Sequence, residues 1–450
     1  MYIIIICLLI IFIYLFIKYK FKNYINDRTN IKIKSKIKLQ EDINNQLNTD
    51  FNNKNNLEIN IKNNTSKTYY KCNNLKNNKT TSIVLKKLNI ERIYNKDSAD
   101  IFIPCGYNHV EVELYKIKPK TTKQIIFGIN GCDKICSKKI IWKTLNEKYP
   151  INLCNKIMPM TYIIKNKKHM RKFKEYNIKN YNSNNINFNN INSNNINSNN
   201  IYNDIYILKN NLQRKKGLYL SKDYKDVLVK IKSGNYKIIQ EYIKDVYTIN
   251  NHKLNIRMYV SVICYQDKSI WLLYENGKCI YTNKEYSKKL LDKNNILDKE
   301  KHFTSYNFNT NLYKDKKLPE SLDDLNNYLG KEKYDKLIQK IIYKLNFIRK
   351  AFINKLCKNE ELYNNICFQL FGIDIILKEN NLEPLILEFN KGPNLDFISP
   401  NDENMKTNML ENLFKLIIFN KNIKEDINNK LIKSNTKKIN NWYIINNGFI

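Results

Sequence analysis

The sequence predicts an α+β fold, with a small N-terminal α/β lobe followed by central and C-terminal α+β lobes. Three observations predict it. Between residues 82 and 165, short apolar strands alternate with helical segments, the pattern of a small α/β unit. From residue 204 onward, strands follow one another across short polar turns, as in an antiparallel sheet. From Lys331 to Cys357 apolar residues recur at three- and four-residue steps, and two β-branched strands follow directly.

The chain has 450 residues and a formal charge of +35. Its order predicts a membrane anchor over 1–20, a polar tether over 21–81, an α/β lobe over 82–165 and a low-complexity linker over 166–203. A central lobe over 204–282, a C-terminal lobe over 283–420 and a polar tail over 421–450 complete it. Tyr2 to Ile17 is an unbroken apolar run followed by Lys18, Lys20 and Lys22. It lacks the basic start and small-residue cleavage site of a signal peptide, so an N-terminal transmembrane helix is expected, uncleaved. The lysines on its C-terminal side predict a single-pass membrane protein with its body facing the cytosol. The Asn/Lys-rich stretch to Lys79 and the repeated Asn-Ile-Asn-Ser-Asn units of 180–200 cannot bury a core, and both are expected to be flexible.

The charge surplus is almost all lysine. It fits nucleic acid, an anionic membrane or an acidic protein partner, and equally a chain saturated with Lys, Asn and Ile. No Arg-rich or aromatic-basic motif of an RNA-binding type stands out, so nucleic acid is not the expected partner. The ten cysteines include no CxxC pair, and Cys132 and Cys136 have no second pair to complete a zinc site. Dispersed cysteines facing the cytosol are expected as reduced thiols.

In the first lobe, Asp100–Pro104 and Gln124–Gly128 read as buried strands, a helix runs through Trp142 and Leu145, and Met158–Ile163 closes the unit. The second lobe opens with the strand Asp204–Lys209. A cationic loop containing Lys215, Lys216 and Gly217 returns into Leu218–Leu220. Such a loop can cover phosphates with its lysines and backbone N–H groups, although GxxxxGK[ST] is absent and a solvated loop fits equally. Next come Lys237–Ile243 and then Asn255–Ile263, whose Arg257 sits among apolar residues and calls for an anionic partner. Trp271–Tyr274 and Gly277–Tyr281 follow. The periodicity of Tyr334, Leu337, Ile338, Ile341, Leu345, Ile348, Phe352 and Leu356 is that of a packed helix with no chemistry of its own.

The hairpin Gln369–Leu377/Pro384–Phe389, turning through Lys378–Asn381, carries the most chemistry. Folding it about Asn381 sets Asp374 opposite Glu388, with Asn390 on the same face. Opposed acids repel unless neutralised, and a hard divalent cation such as Mg²⁺ would do so through carboxylate and amide oxygens. Acids exposed at a sheet edge fit the same spacing.

The order of these elements resembles the ATP-grasp fold and, more narrowly, the tubulin–tyrosine ligase-like family, over about Phe102 to Leu416. The motifs that carry the resemblance are Phe371-Gly372-Ile373-Asp374 with Leu387-Glu388-Phe389-Asn390, Asn255-Ile256-Arg257 and Gln240-Glu241-Tyr242-Ile243. His302-Phe303-Thr304-Ser305, Pro159-Met160-Thr161-Tyr162 and the pair Asp133-Lys134 add to it. The resemblance implies an ATP-grasp-like architecture and an ATP- and Mg²⁺-dependent ligase joining an amino acid to a protein carboxylate through an acyl-phosphate. Lys209 would touch the phosphates, under a loop carrying Lys216 and Gly217. Gln240, Glu241, Tyr242 and Ile243 would edge the adenine pocket, and Arg257 would hold the transferred phosphoryl group. Lys209 and Arg257 are thus the implied catalytic residues, and Asp374, Glu388 and Asn390 the implied metal ligands. The implied partners are a free amino acid and an acidic acceptor such as a tubulin tail. Lys215 in place of glycine, Ser305 in place of asparagine and altered side chains in Lys391-Gly392-Pro393-Asn394 depart from the pattern. A catalytically silent ATP-grasp scaffold and a basic nucleic-acid or lipid binder are the competing classes.

Overall fold

The structure, a computed structural model, describes residues 66–72, 76–106, 110–188, 205–210, 218–266, 268–289, 297–420, 423–425 and 438–445, with the backbone alone at 56–57, at 179–188 and at 425. All of these lie in one compact unit spanning 56–448.

The strands that matter for the site are β1 (Lys67–Lys71), β2 (Ile90–Arg92), β3 (Ile101–Ile103), β4 (Ile125–Phe127), β5 (Thr161–Ile163), β6 (Tyr206–Lys209), β7 (Leu218–Ser221), β8 (Ile238–Glu241), β9 (His252–Tyr265), β10 (Lys268–Tyr281), β11 (Ile366–Leu377), β12 (Pro384–Asn390) and β13 (Trp442–Ile445). The helices used below are α1 (Lys79–Lys87), α2 (Val110–Leu114), α3 (Lys138–Lys148), α4 (Lys331–Phe352) and α5 (Pro400–Phe414).

A large mixed sheet runs β13-β10-β9-β11-β4-β3-β1-β2, with β12 paired to β11. Its β13-β10-β9-β11-β12 part is antiparallel, whereas β11, β4, β3, β1 and β2 are parallel neighbours. A separate antiparallel sheet runs β5-β8-β6-β7. The lobes expected from chain order therefore interlock. β4 of the first lobe joins the sheet of the C-terminal lobe, because Ile125–Phe127 pair in parallel with Ile366–Phe368. Phe127 stacks on Phe368 with ring centroids 4.5 Å apart. The central lobe is divided, with β6–β8 in the small sheet and β9–β10 in the large one.

The large sheet is covered on one side by α1 and α5. Val84, Leu85, Met409, Leu413 and Phe414 there bury against Ile101, Ile263 and Phe368. The eight apolar positions that sequence periodicity assigned to the long helix are all buried, but α4 stops at Phe352. Cys357 takes a left-handed backbone (φ 65°), and its N–H donates to Asn130 O at 3.1 Å.

Several expectations are corrected. No helix among the described residues is long and apolar enough to cross a membrane. The expected transmembrane helix is therefore not upheld, nor are the membrane partner and single-pass membrane localisation drawn from it. The run Tyr2–Ile17 lies outside the described residues, and it stops at Lys18, short of the roughly 20 apolar residues that a spanning helix needs. β1 lies within the range read as tether. Helix 167–188 fills much of the expected linker, held by Phe173, whose ring meets those of Tyr162 and Tyr206 at 5.1 and 5.0 Å. Cys132, Cys136, Cys154, Cys279 and Cys367 are free thiols as expected, but four of the expected thiols are paired instead, as the disulfides Cys72–Cys105 and Cys264–Cys357. Their partners are 33 and 93 residues apart in the chain, where local spacing gives no signal.

Candidate active site

The acidic hairpin is formed as its alternation predicts. β11 and β12 pair antiparallel with Asp374 opposite Glu388, and Asn381 takes the left-handed turn position (φ 57°). A bulge follows at once, since Ile375 faces Ile386 rather than Leu387. On its other edge β11 pairs with β9, which sets Arg257 opposite Asp374. The guanidinium donates from Nε to Oδ1 and from Nη2 to Oδ2 at 2.9 Å, a two-pronged ion pair. Gly372 makes room for it, because a Cβ there would sit 3.2 Å from Arg257 Cδ and 3.1 Å from Pro393. Burial opposes the charge on Arg257, and Asp374 more than compensates, raising its pKa further.

Glu388 is held on the same face. Lys138, the first residue of α3, approaches its Oε2 at 2.8 Å, and Asn390 Nδ2 donates to Oε1 at 3.3 Å. Burial alone would push the Glu388 carboxyl up, but Lys138, Lys209 and Arg257 outweigh it and hold it at about 2. Behind the motif strand, Lys391 pairs with Asp133, and Gln369 Nε2 donates to Lys391 O at 2.7 Å.

The small sheet supplies the facing wall. Lys209 at the end of β6 is buried, and its Nζ donates to Gln240 Oε1 at 2.6 Å. Gln240 Nε2 donates to Thr161 Oγ1 at 2.9 Å, and that hydroxyl donates to Pro159 O at 2.9 Å. This chain of bonds fixes the ammonium in direction. Burial lowers the Lys209 pKa to about 8, against the pull of Glu388. Glu241 and Tyr242 spend their backbone N–H groups on Met160 O and Ile205 O, both at 2.8 Å. Tyr242 and Ile243 send their side chains into separate apolar clusters.

Between the walls lies a cleft of ≈ 190 Å³. Lys209, Gln240, Asp374, Glu388 and Asn390 line it, together with the apolar Ile207, Leu218, Ile376 and Leu387. Glu241, Tyr242 and Ile243 border it too. Arg257 is not among the lining residues and reaches the cleft through Asp374. Lys216 and Gly217 lie outside the described residues, as does Lys215.

Sequence reasoning missed Lys253 and Lys138 here, and gave no role to Asn255 and His302 of its own motifs. Lys253 is buried, with its Nζ 3.3 Å from Tyr242 OH and 3.4 Å from His302 O, and burial together with Lys209 lowers its pKa to about 7. Its signal was a lysine four residues before Arg257 at the head of an apolar strand. Asn255 donates to Thr304 Oγ1 at 3.1 Å, and its buried Oδ1 has no hydrogen-bond partner among the described residues. Lys138 carries no local signal, since it is one lysine among many and 250 residues from Glu388 in the chain. His302, whose Nδ1 meets Tyr242 OH at 3.1 Å, has its pKa lowered to about 4 by burial and by Lys253.

The Tubulin-tyrosine ligase family profile matches residues 116–426, a span that contains every strand of this cleft. The chain belongs to the tubulin–tyrosine ligase family. Among its relatives are a probable beta-tubulin polyglutamylase of Tetrahymena thermophila, 24% identical over 220 residues, and the tubulin polyglutamylase TTLL5 of Mus musculus, 26% identical over 197 residues. The tubulin monoglutamylase TTLL4 of Mus musculus is 28% identical over 196 residues. These matches cover 45%, 40% and 40% of this chain but only 18%, 14% and 16% of the respective relatives. The chain thus spans well under two thirds of the length of the curated family members it matches.

The donor set fits a hard divalent cation. Two carboxylates and a side-chain amide lie on one face of neighbouring strands, and oxygen donors of that kind suit Mg²⁺. The surrounding Lys209, Lys138 and Arg257 suit phosphate oxygens.

Proposed function

We propose that this family member is an ATP- and Mg²⁺-dependent carboxylate–amine ligase that attaches an amino acid to a protein carboxylate. One observation carries the reading. Asp374 and Glu388 oppose each other at a cleft whose other wall presents the buried, hydrogen-bonded Lys209. Repulsion between such acids is tolerated where cations bind them, and a directed buried lysine is costly unless it meets an anion.

When bound, ATP would supply the phosphoryl group that activates the acceptor carboxylate, and Mg²⁺ the charge that shields it. The protein's own residues then act by position and charge. Asp374, Glu388 and Asn390 hold the cation. Lys209, aimed by Gln240 and Thr161, neutralises phosphate oxygens. Arg257 stabilises the phosphoryl group in transfer while its link to Asp374 ties that charge to the metal side. Gln240, Glu241, Tyr242 and Ile243 border the base, with Ile207, Leu218 and Ile376 as apolar walls. Lys216 and Gly217, on the connection between β6 and β7, would cover the phosphates. The incoming amine attacks the activated carbonyl carbon, loses its proton and expels inorganic phosphate.

The tubulin polyglutamylases and monoglutamylase among the relatives favour glutamate as the added amino acid and a tubulin tail as the acceptor. The strongly basic chain suits an acidic acceptor of that kind. The test is ATP consumption by the full chain with Mg²⁺, labelled glutamate and tubulin, beside Asp374→Ala/Glu388→Ala. Label entering tubulin, lost in the double variant, is the expected result. ATP binding without turnover on any acidic protein would reject the ligase in favour of a silent scaffold.

A further inference from the structure

A second group of metal-binding side chains lies away from the cleft, in the parallel half of the large sheet. Read in chain order, β1 and β2 grow toward one edge, while β3 and β4 are added on the other side of β1. The order therefore reverses between β1 and β3, whose register pairs Lys71 with Ile103. In open parallel sheets, ligands bind beyond the carboxyl ends of the strands at such a reversal. Cys72 follows directly on β1, and Cys105 lies two residues beyond β3. Glu113, on α2, meets them there. The two sulfurs and a Glu113 carboxylate oxygen all lie within 4.8 Å of one another.

The Glu113 carboxylate is unevenly satisfied. Its Oε2 accepts the Cys105 N–H at 2.7 Å, while its Oε1 is buried without a hydrogen-bond partner among the described residues. A buried carboxylate oxygen with nothing to bind is costly, and a disulfide beside it offers no donor. A cation held by the two sulfurs would satisfy it. The group also borders a cavity of ≈ 230 Å³ lined by Tyr70, Phe102, Lys116 and Gln124 as well as by Cys72 and Glu113.

We propose that Cys72, Cys105 and Glu113 form a zinc site in the reduced chain, with the Cys72–Cys105 disulfide as its oxidised, metal-free counterpart. Two thiolates and a carboxylate are a Zn²⁺ donor set, and three protein ligands leave a fourth position for water from the cavity. Tetrahedral Zn–S bonds of about 2.3 Å hold sulfurs about 3.8 Å apart, so the disulfide must break before both sulfurs can bind. A dithiol reductant does this: its thiolate attacks one sulfur, its second thiol resolves the mixed disulfide, and two electrons pass to the cysteines as the reductant becomes a disulfide. Zinc then displaces the two thiol protons to solvent. The three anionic ligands exceed the zinc charge by one, and Lys71, which interacts electrostatically with Glu113, supplies the balance.

The test uses the full chain, reduced with a dithiol, freed of it under argon and titrated with Zn²⁺ against a chromophoric chelator. Co²⁺ substitution reports thiolate ligation by its charge-transfer bands. The expected result is one tight zinc per chain with thiolate–cobalt bands, absent in Cys72→Ser. Glu113→Gln should weaken it at least about tenfold while still forming the disulfide on oxidation. Because Cys72→Ser could fail to fold, Glu113→Gln, checked by circular dichroism, is the deciding variant. Zinc affinity unchanged in Glu113→Gln would overturn the proposal, as would reduced protein that binds no zinc or a disulfide that survives the reductant.

Discussion

Arg257 and Asp374 are direct cross-strand neighbours, joined by two hydrogen bonds from one guanidinium to both carboxylate oxygens. With Glu388 opposite Asp374 on the next strand, one row across β9, β11 and β12 reads arginine, aspartate, glutamate. Like charges side by side are tolerated because a cation flanks each acid, Arg257 at one end and Lys138 at the other.

Removing Asp374 should therefore cost stability as well as activity. Both side chains are less than a quarter exposed. Asp374→Ala leaves Arg257 without its partner and should destabilise the chain by about 2–4 kcal/mol in urea unfolding. Pairing it with Arg257→Met should restore most of that loss without restoring ATP turnover. A double variant as unstable as the single one would mean that the ion pair is not the cause.

Nucleotide affinity should fall as pH rises through about 8. Burial lowers the Lys209 pKa to about 8, so its ammonium is charged below that pH and neutral above it. Bound phosphate favours the charged form, so binding near pH 8 should take up protons. Calorimetry of ATP binding in buffers of different ionisation enthalpy measures that uptake, and Lys209→Met should abolish it.

Glu388 makes the opposite contribution at low pH. Its folded pKa, about 2, lies below that of a free glutamate. The stability it provides is complete above about pH 4.5 and lost as pH falls toward 2. Acid titration of Glu388→Gln should show a shallower loss of stability across that window than the parent chain does.

Chelation of divalent metal should stop ATP turnover. Asn390→Ala should raise the Mg²⁺ concentration needed for half-maximal turnover by about tenfold or more. An unchanged Mg²⁺ requirement would remove Asn390 from the ligand set.

Ser305 holds a left-handed backbone (φ 53°), and its N–H donates to Tyr281 O at 2.7 Å. Asparagine occupies that region more readily than serine. Ser305→Asn should stabilise the chain modestly, read as a rise in the urea midpoint.

Legibility followed the range of the interaction. The period-two pattern of 369–389 made the hairpin legible, but the register at its turn, with Leu377 opposite Pro384, would lead to Asp374 against Leu387, and the bulge beside Asp374 is what brings Glu388 opposite it. The eight buried positions of the long helix were legible from their spacing. An arginine inside an apolar strand called for an anion, but only the pairing of β9 with β11 identified Asp374 as that anion. The low-complexity composition of 166–203 pointed the wrong way over its first half, since one aromatic, Phe173, anchors a helix there.

By itself, the sequence determined the strands that line the cleft, the long helix, the acidic hairpin and the family whose motifs they carry, because each depends on neighbours within a few tens of residues. Only the tertiary structure decided that β4 joins β11, that Lys138 meets Glu388 and that Cys72 meets Cys105. It also decided that Lys253 lies buried beside Tyr242. Those contacts join residues that chain order leaves unrelated. They are selected by the packing of whole sheets and helices, in which the burial of surfaces such as Phe127 against Phe368 fixes which distant side chains come into reach.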